Sequence, residues 1–416
     1  MPLGEQGSPL SPEEAKASRR SRKRGQRRAL LLVTPVIVFL LFAFIAPIAS
    51  MLMRSTYDPG VADAIPSTLQ ALEAWDGQDV PNSTVQTILA EDLRRLALAR
   101  ASGSLGADVN RAYPGASSAI NSAARRLRSL DDEAIAGTGA EVIMQSNPRW
   151  EDPALWRAIA QSGKAYTGRY YLTALDLERT SDGEIQARES ARIYIPLYSK
   201  TLKLALIITL LCLVLGYPLA YYLANAKSKQ ASWLFILVLL PFWTSLLVRT
   251  TAWIAILQTN GVMNSTLMTL GLISEPLNLL YTETATIIAM THILLPFMIL
   301  PLYSVMRGID RSYMRAAMSL GAKPLPAFLR VYLPLTMPGL SAGALLVFII
   351  SVGYYITPAL VGGTDGQLIS NIIAFHMQQS NNWNLAAALG SLLLGLILIL
   401  YFVYDRLVGA SNIKLG

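Results

Sequence analysis

A single cysteine, Cys212, leaves the chain no partner for an internal disulfide and no thiolate cluster for a metal. Its two histidines, His292 and His376, have no metal-ligand spacing and no nucleophile patterned beside them. No catalytic residue, metal or cofactor is therefore expected. No G-x-x-x-x-G-K-[ST] phosphate loop occurs, so any work drawn from ATP must be done by another polypeptide. Charge is scarce as well: Asp, Glu, Lys and Arg make up 15% of residues, against about 25% in an ordinary soluble domain.

Apolar residues fill the gap, at 53% of the chain. They are gathered into runs on the scale of the roughly 20 residues a helix needs to cross the hydrocarbon core. Six runs qualify: Ala29 to Met53, Leu204 to Ala226, Ala231 to Leu257 (with Pro241 and Arg249 inside), Thr284 to Met306, Pro338 to Val361 and Leu385 to Tyr404. Lipid offers the backbone no hydrogen bonds, and the runs lack the alternation of barrel strands, so an all-α membrane protein with six transmembrane helices is expected. The first run exceeds the 7–15 residues of a signal-peptide core and is read as a retained anchor. Cys212, within the second run, reads as a small buried hydrophobe.

Basic residues set the orientation. Eight lie before the first run, from Lys16 to Arg28; Lys227 and Lys229 follow the second; Arg307, Arg311, Arg315, Lys323 and Arg330 follow the fourth, against one acid, Asp310. The connections Gln258 to Glu283 and Gly362 to Asn384 contain no Lys or Arg. Six crossings with both termini cytoplasmic satisfy every loop. The net charge of +8 is then mostly this bias and not a nucleic-acid surface.

Four regions result: a basic tail (1–28), an anchor helix (29–53), a polar extracytoplasmic insertion (54–195) and a five-helix membrane domain (196–416). The insertion carries 15 Lys and Arg against 19 Asp and Glu. Trp75, Trp150 and Trp156 are its candidate core aromatics. Asn82 or Ser83 is expected to cap a helix through Val85, Leu89, Leu93 and Leu96, and Asp152 one from Pro153 to Ile159. An amphipathic stretch covers Ile120 to Leu130. Tyr166 to Leu177, rich in aromatics and Thr, reads as extended. The whole reads as a mostly helical domain or cap.

The sharpest signal is the connection between the fourth and fifth runs, residues 307–335. Asp310 or Ser312 is expected to cap a short helix through Ala316, Ala317 and Leu320, with Gly321 at its C′ position. Pro324 and Pro326 then stop propagation before a second amphipathic segment, Phe328 to Tyr332, making a surface elbow. This resembles the EAA loop of ABC importer permeases: E-A-A, three residues, G, nine residues, I, one residue, L-P. Arg315, Ala316, Ala317, Gly321, Val331, Leu333 and Pro334 fall at the matching positions, with Arg315 replacing the family's Glu and Val331 its Ile. The charge reversal at Arg315 means that no salt bridge made by that Glu carries over.

Further stretches look like the polyamine-type permeases of spermidine and putrescine importers, which are binding-protein-dependent inner-membrane components. They are Gly216 to Ala224, Leu240 to Thr250, Asn260 to Asn264, Leu280 to Thr282 and Leu295 to Met298. The resemblance covers about Thr201 to Leu407 and leaves the long insertion unexplained. It implies a type I (MetI-like) ABC importer permease fold in the bacterial inner membrane. It also implies two cytoplasmic ABC ATPases, a second permease subunit (homologous or identical) and a periplasmic solute-binding protein as partners. The cargo it implies is a polyamine; an iron chelate, a phosphonate or an opine is the alternative.

Candidate path or gate residues are Trp243, Thr244, Arg249, Trp253, Tyr354 and Tyr355. Arg249 is an ionisable group deep in a run, a functional signal in lipid unless it snorkels or bonds a helix end. The Trp and Tyr side chains suit an alkyl-ammonium by cation–π contact, or an interfacial aromatic belt. Glu275, Glu283 and Asp365 are candidate binding-protein contacts, or ordinary solvated carboxylates. A secondary transporter would need acids within its membrane helices, which runs two to six lack. A sensor would need a cytoplasmic output module, and about ten residues follow the last run.

Overall fold

The computed structural model describes residues 31–179, 184–188 and 192–408. The basic tail expected over 1–28 lies outside them. The chain forms two compact units that part after Arg54. The described part of the first is helix α1, Leu31–Arg54, uncharged up to its last residue, with a wider π turn at Leu41–Ile45.

The second unit opens with the insertion, where eight α-helices follow one another among the described residues: α2 Gly60–Ala64, α3 Pro66–Leu72, α4 Ser83–Leu98, α5 Ser102–Asn110, α6 Ala116–Leu127, α7 Asp132–Ser146, α8 Pro153–Ser162 and α9 Arg169–Ala174, with a 3-10 turn, Pro148–Glu151, capped by Asn147 between α7 and α8. Polar caps start three of them. Asn82 accepts from the Val85 N–H at 3.1 Å, Asp131 from Ala134 at 2.8 Å and Asp152 from Ala154 at 2.8 Å, each satisfying an orphan donor of a first turn. Val85, Leu89, Leu93 and Leu96 face a shared core with Ile120, Leu127, Trp150 and Trp156. The buried Trp156 indole keeps a partner, donating to the Trp150 carbonyl at 2.9 Å. Trp75 packs at the edge of this core.

The extended reading of residues 166–177 holds at its two ends, where Tyr166 bridges Tyr57 and Leu177 is in a strand, and is corrected between them. Thr167 accepts from the Arg169 N–H, α9 follows, and Tyr170 and Ala174, four residues apart, are buried together. Aromatic content favours strands only where a sheet face exists to pack it, and here the face is a helix. A hairpin of β1 Leu177–Arg179 and β2 Ile185–Ala187 completes the insertion, with Leu177 opposite Ala187.

The membrane half comprises α10 Tyr194–Asn225, α11 Ser228–Trp243, α12 Leu246–Leu257, α13 Val262–Thr269, α14 Glu283–Arg307, α15 Ser312–Ser319, α16 Pro324–Gly353, α17 Ile356–Val361, α18 Ile369–Gln378 and α19 Trp383–Val408. Among the described residues five helices (α1, α10, α14, α16 and α19) are long and apolar enough to cross a membrane, or six crossings if one bent pair counts as a span.

That pair corrects the third run. The helices from Lys229–Trp243 and Leu246–Thr269 meet at 99° instead of continuing through Ala231 to Leu257. Pro241 lacks an N–H and crowds the preceding turn. Thr244 goes extended, and the Ser245 hydroxyl caps the new helix by accepting from Val248 at 3.2 Å. The fifth run is shifted too: α16 starts within the expected elbow and ends at Gly353, before the short α17. Pro324 and Pro326 do not stop a helix; Pro324 begins one, at a first-turn position whose N–H would be unbonded anyway.

α10, α14 and α16 form the centre. Gly339 and Gly343 of α16 let it lie directly on the α14 backbone: a Cβ at Gly339 would sit 2.8 Å from the Pro301 carbonyl, one at Gly343 3.0 Å from that of Met298. Small residues permit such approach where lipid provides no hydrophobic drive between helices.

Candidate functional site

α10 has 32 residues, about 48 Å of helix, well beyond the roughly 30 Å of hydrocarbon. Its two ends define the ends of the bundle. At the Tyr194 end Asp176 of the insertion accepts from the N–H groups of Ile193, Tyr194 and Ile195, the last at 2.7 Å, placing a carboxylate on a helix N-terminus. Tyr171 of α9 is held by Ser55 at 2.8 Å and by Ser391 of α19 at 2.9 Å, and the Tyr198 hydroxyl donates to the Leu389 carbonyl at 2.7 Å. The insertion is thus fastened to both α10 and α19. Sequence patterning missed these ties, because Asp176 and Tyr171 carry no local motif; only the fold brings them to the helix ends.

Two of the candidate binding-protein contacts gather at this end. Glu283, in the first turn of α14, pairs with Lys203 at 3.1 Å, and the Asp365 backbone carbonyl accepts from Lys200. Glu275 is exposed in the connection before α14.

The opposite end carries the elbow. α15 closes with Gly321 at φ +89°, its N–H bonded to Met318 O at 3.0 Å and the Ala322 N–H to Ala317 O at 3.1 Å. These are the two bonds of a Schellman cap, and the left-handed position is the one glycine fills without strain. At the start of the helix Asp310, the first of the two expected residues, accepts from the Ser312 N–H at 2.7 Å, with Arg311 in the N-cap position. That N–H and the Ser312 hydroxyl hold the Asp310 carboxyl below its ordinary range.

Arg315, Ala316 and Gly321 are exposed and Ala317 half-buried. Leu320 is 89% exposed, with Tyr313, Met318 and Leu325 also open, so an apolar face stands unpartnered around the small Ala316 and Ala317. Val331, Leu333 and Pro334 lie in the opening turns of α16, against which α15 packs. A π turn spans Phe328–Tyr332 there.

Aromatic rings lock this region to α10. Phe328 meets Tyr217 and Tyr221 edge-on at 6.1 and 5.8 Å, Tyr332 meets Tyr221 at 5.3 Å, and Phe328 stacks on Tyr332 at 5.5 Å. Arg311 donates to the Asn225 carbonyl at 2.9 Å, at the last residue of α10. The signal available in the sequence was two aromatic pairs each spaced by four, Tyr217 with Tyr221 and Phe328 with Tyr332, which put matching stripes on two helices.

The path candidates divide. Thr244 sits at the break between α11 and α12, its hydroxyl donating to the Pro241 carbonyl at 3.0 Å, and Trp243 beside it is exposed. One turn beyond Arg249, the Trp253 indole donates to His292 Nδ1 of α14 at 3.2 Å, which assigns the imidazole's proton to Nε2 when the ring is neutral. Arg249 lies close enough to act on both His292 and Tyr354, and its Nε is buried without a hydrogen-bond partner. Trp253 and His292 therefore meet directly, with Arg249 and Tyr354 in electrostatic range of one another nearby. Tyr355, exposed at the α16–α17 break, has its carbonyl held by Asn371 at 2.8 Å. Among the described residues no three His, Cys, Asp or Glu side chains come together as a metal site.

Residues 199–411 match the family described as binding-protein-dependent transport system inner membrane component. The spermidine/putrescine transport system permease protein PotB of Escherichia coli (strain K12) is 40% identical over 224 residues, 52% of this chain and 82% of that protein. PotB of Haemophilus influenzae is 39% identical over 218 residues, 51% of this chain and 76% of that protein. The inner membrane ABC transporter permease protein YdcU of Escherichia coli (strain K12) is 31% identical over 281 residues, 62% and 88% of the two chains. The chain belongs to the binding-protein-dependent inner membrane component family and is a permease subunit of an ABC transporter, a membrane component and not an enzyme.

Proposed function

We propose that this permease takes a polyamine of the spermidine or putrescine class from a periplasmic binding protein and passes it to the cytoplasm. The observation carrying this reading is the 40% identity over 82% of PotB's length. In this reading the bent pair counts as one span. That gives six crossings and puts both termini, with the basic elbow end, in the cytoplasm by the positive-inside bias. The insertion and the Lys203–Glu283 end then face the periplasm, where the insertion docks the binding protein or shields the entrance, with Glu275, Glu283 and Asp365 beside it.

Two cytoplasmic ATPases, one second permease subunit (homologous or identical) and the binding protein complete the assembly. The elbow, residues 307–335, offers Ala316, Ala317 and the exposed Leu320 to an ATPase groove. ATP-driven movement of α15 passes through Phe328 and Tyr332 into Tyr217 and Tyr221, and so into α10. The Asp176 cap carries it to the insertion. Trp243, Thr244, Arg249, Trp253, Tyr354 and Tyr355 line or gate the path, where breaks at Thr244–Ser245 and Tyr354–Tyr355 supply the hinges. Aromatic faces suit alkyl-ammonium groups. Arg249 repels them, which fits a gate better than a cargo contact.

Uptake of labelled putrescine and spermidine by cells expressing the complete transporter tests the cargo. Saturable uptake competed by either amine supports it. Uptake of an iron chelate, a phosphonate or an opine, with neither amine competing, rejects the cargo while leaving the permease assignment standing.

A further inference from the structure

Where α10 gives way to α11, a shallow groove of about 470 Å³ is lined by Tyr222, Lys229, Gln230, Trp233, Leu234 and Leu237. Nothing in the transport reading uses it. Lys229, Trp233 and Leu237 follow one another at four-residue spacing, so they form a single stripe down one face of α11. The stripe runs about 12 Å, from an ammonium through an indole to an isobutyl group. Tyr222 stands beside it from α10, and Trp233 and Leu237 are 65% and 61% exposed.

The charge at the mouth is unanswered among the described residues. No Asp or Glu occurs between Glu189 and Glu275, so α10, α11 and the turn joining them supply no carboxylate. Neither Lys227 nor Lys229 enters an ion pair among the described residues. The same end of the bundle carries Arg311, bonded to the carbonyl of Asn225, three residues along α10 from the groove's Tyr222. A cation with no counter-ion, an aromatic pair at the next level and a leucine track below reproduce, in order, the phosphate, ester and acyl levels of a membrane lipid.

We propose that this groove is a binding site for an anionic phospholipid. Lys229 and Gln230 hold the phosphate, Trp233 and Tyr222 flank the glycerol and ester region, and Leu234 and Leu237 carry an acyl chain. The site is independent of the cargo and of the direction of transport.

The full-length chain is reconstituted in phosphatidylethanolamine vesicles containing equal amounts of phosphatidylglycerol and phosphatidylcholine. It is then extracted, and retained lipids are identified by native mass spectrometry. Wild type is expected to retain phosphatidylglycerol in preference. Lys229→Gln is expected to lower the phosphatidylglycerol-to-phosphatidylcholine ratio about fivefold, the effect of one basic side chain near an anionic surface, and Lys229→Arg to restore it. Trp233→Ala should reduce retention of both lipids. Equal retention of the two lipids by wild type, or a ratio unchanged in Lys229→Gln, overturns the proposal. So does an assembled transporter that retains no lipid and cross-links to another subunit through Lys229→Cys.

Discussion

The insertion and the membrane half are both helical, yet they solve the same end-of-helix problem with a different balance of chemistry. In the insertion first turns are capped by amides and carboxylates: Asn82, Asp131, Asn147 and Asp152. In the membrane half hydroxyls cap α12 and α14, at Ser245 and Thr282, while an amide, Asn382, caps α19 and the Asp310 carboxylate serves the surface helix α15. Thr201, Thr209, Thr250 and Thr251 inside the apolar helices return their protons to the carbonyl four residues back. A carboxylate in water is a strong and inexpensive cap, whereas in lipid it is costly and an uncharged hydroxyl serves. The cores differ likewise: Trp150 and Trp156 fill the insertion, while glycine against backbone joins α14 to α16. Asp176 is the telling case. It is a buried carboxylate capping a membrane helix, and it belongs to the insertion, on the part of α10 that extends past the length of the hydrocarbon core.

The largest expected effect strikes the elbow helix α15, which has no buried residue. Gly321→Asp forces a side chain into a left-handed position costing about 1–2 kcal/mol locally, and Ala317→Trp fills the small-residue face. Each should reduce uptake to background at unchanged membrane content, measured by transport assay beside immunoblot. Next is Trp156→Ala, expected to destabilise the insertion by about 3–5 kcal/mol, read from tryptophan fluorescence during thermal unfolding. Asp176→Ala removes a charged acceptor from three N–H groups and should cost about 1.5–3 kcal/mol, loosening the insertion from α10 in limited proteolysis. If it instead leaves the insertion as protected as in wild type, the two regions are not joined there.

Asn82→Ala should cost about 1 kcal/mol in the same unfolding experiment. The smallest effect concerns pH. The Tyr113 hydroxyl and the Ala154 N–H hold the Asp152 carboxyl below its ordinary range. A depressed carboxyl stabilises the fold above its unfolded pKa and loses that contribution as pH falls through the folded value. Asp152→Asn keeps the cap and should flatten the acid limb of the melting profile.

The contrast also explains what could be read before the fold was known. Asn82 and Asp152 were legible as caps because a cap and its helix are adjacent in sequence. Gly321 was legible for the same reason. The 99° break was not: Pro241 inside an apolar run fits a gentle kink as well as a corner, and the Ser245 cap that decides between them looks ordinary in isolation. Pro324 was misread because a proline marks a helix start as readily as a stop. The contact of Trp253 with His292 joins two separate segments, and no local pattern announces it.

Cys212 is the sole cysteine and is buried, so thiols can be introduced singly and located from either side of the membrane. The decisive comparison is Ala317→Cys in the elbow beside Ser129→Cys in the insertion, each treated with a membrane-impermeant maleimide on intact cells and on inverted vesicles. The account predicts that the insertion thiol reacts only from outside. The elbow thiol should react only in inverted vesicles stripped of their ATPase, and be shielded when the ATPase is present. Labelling of the elbow thiol on intact cells would contradict it.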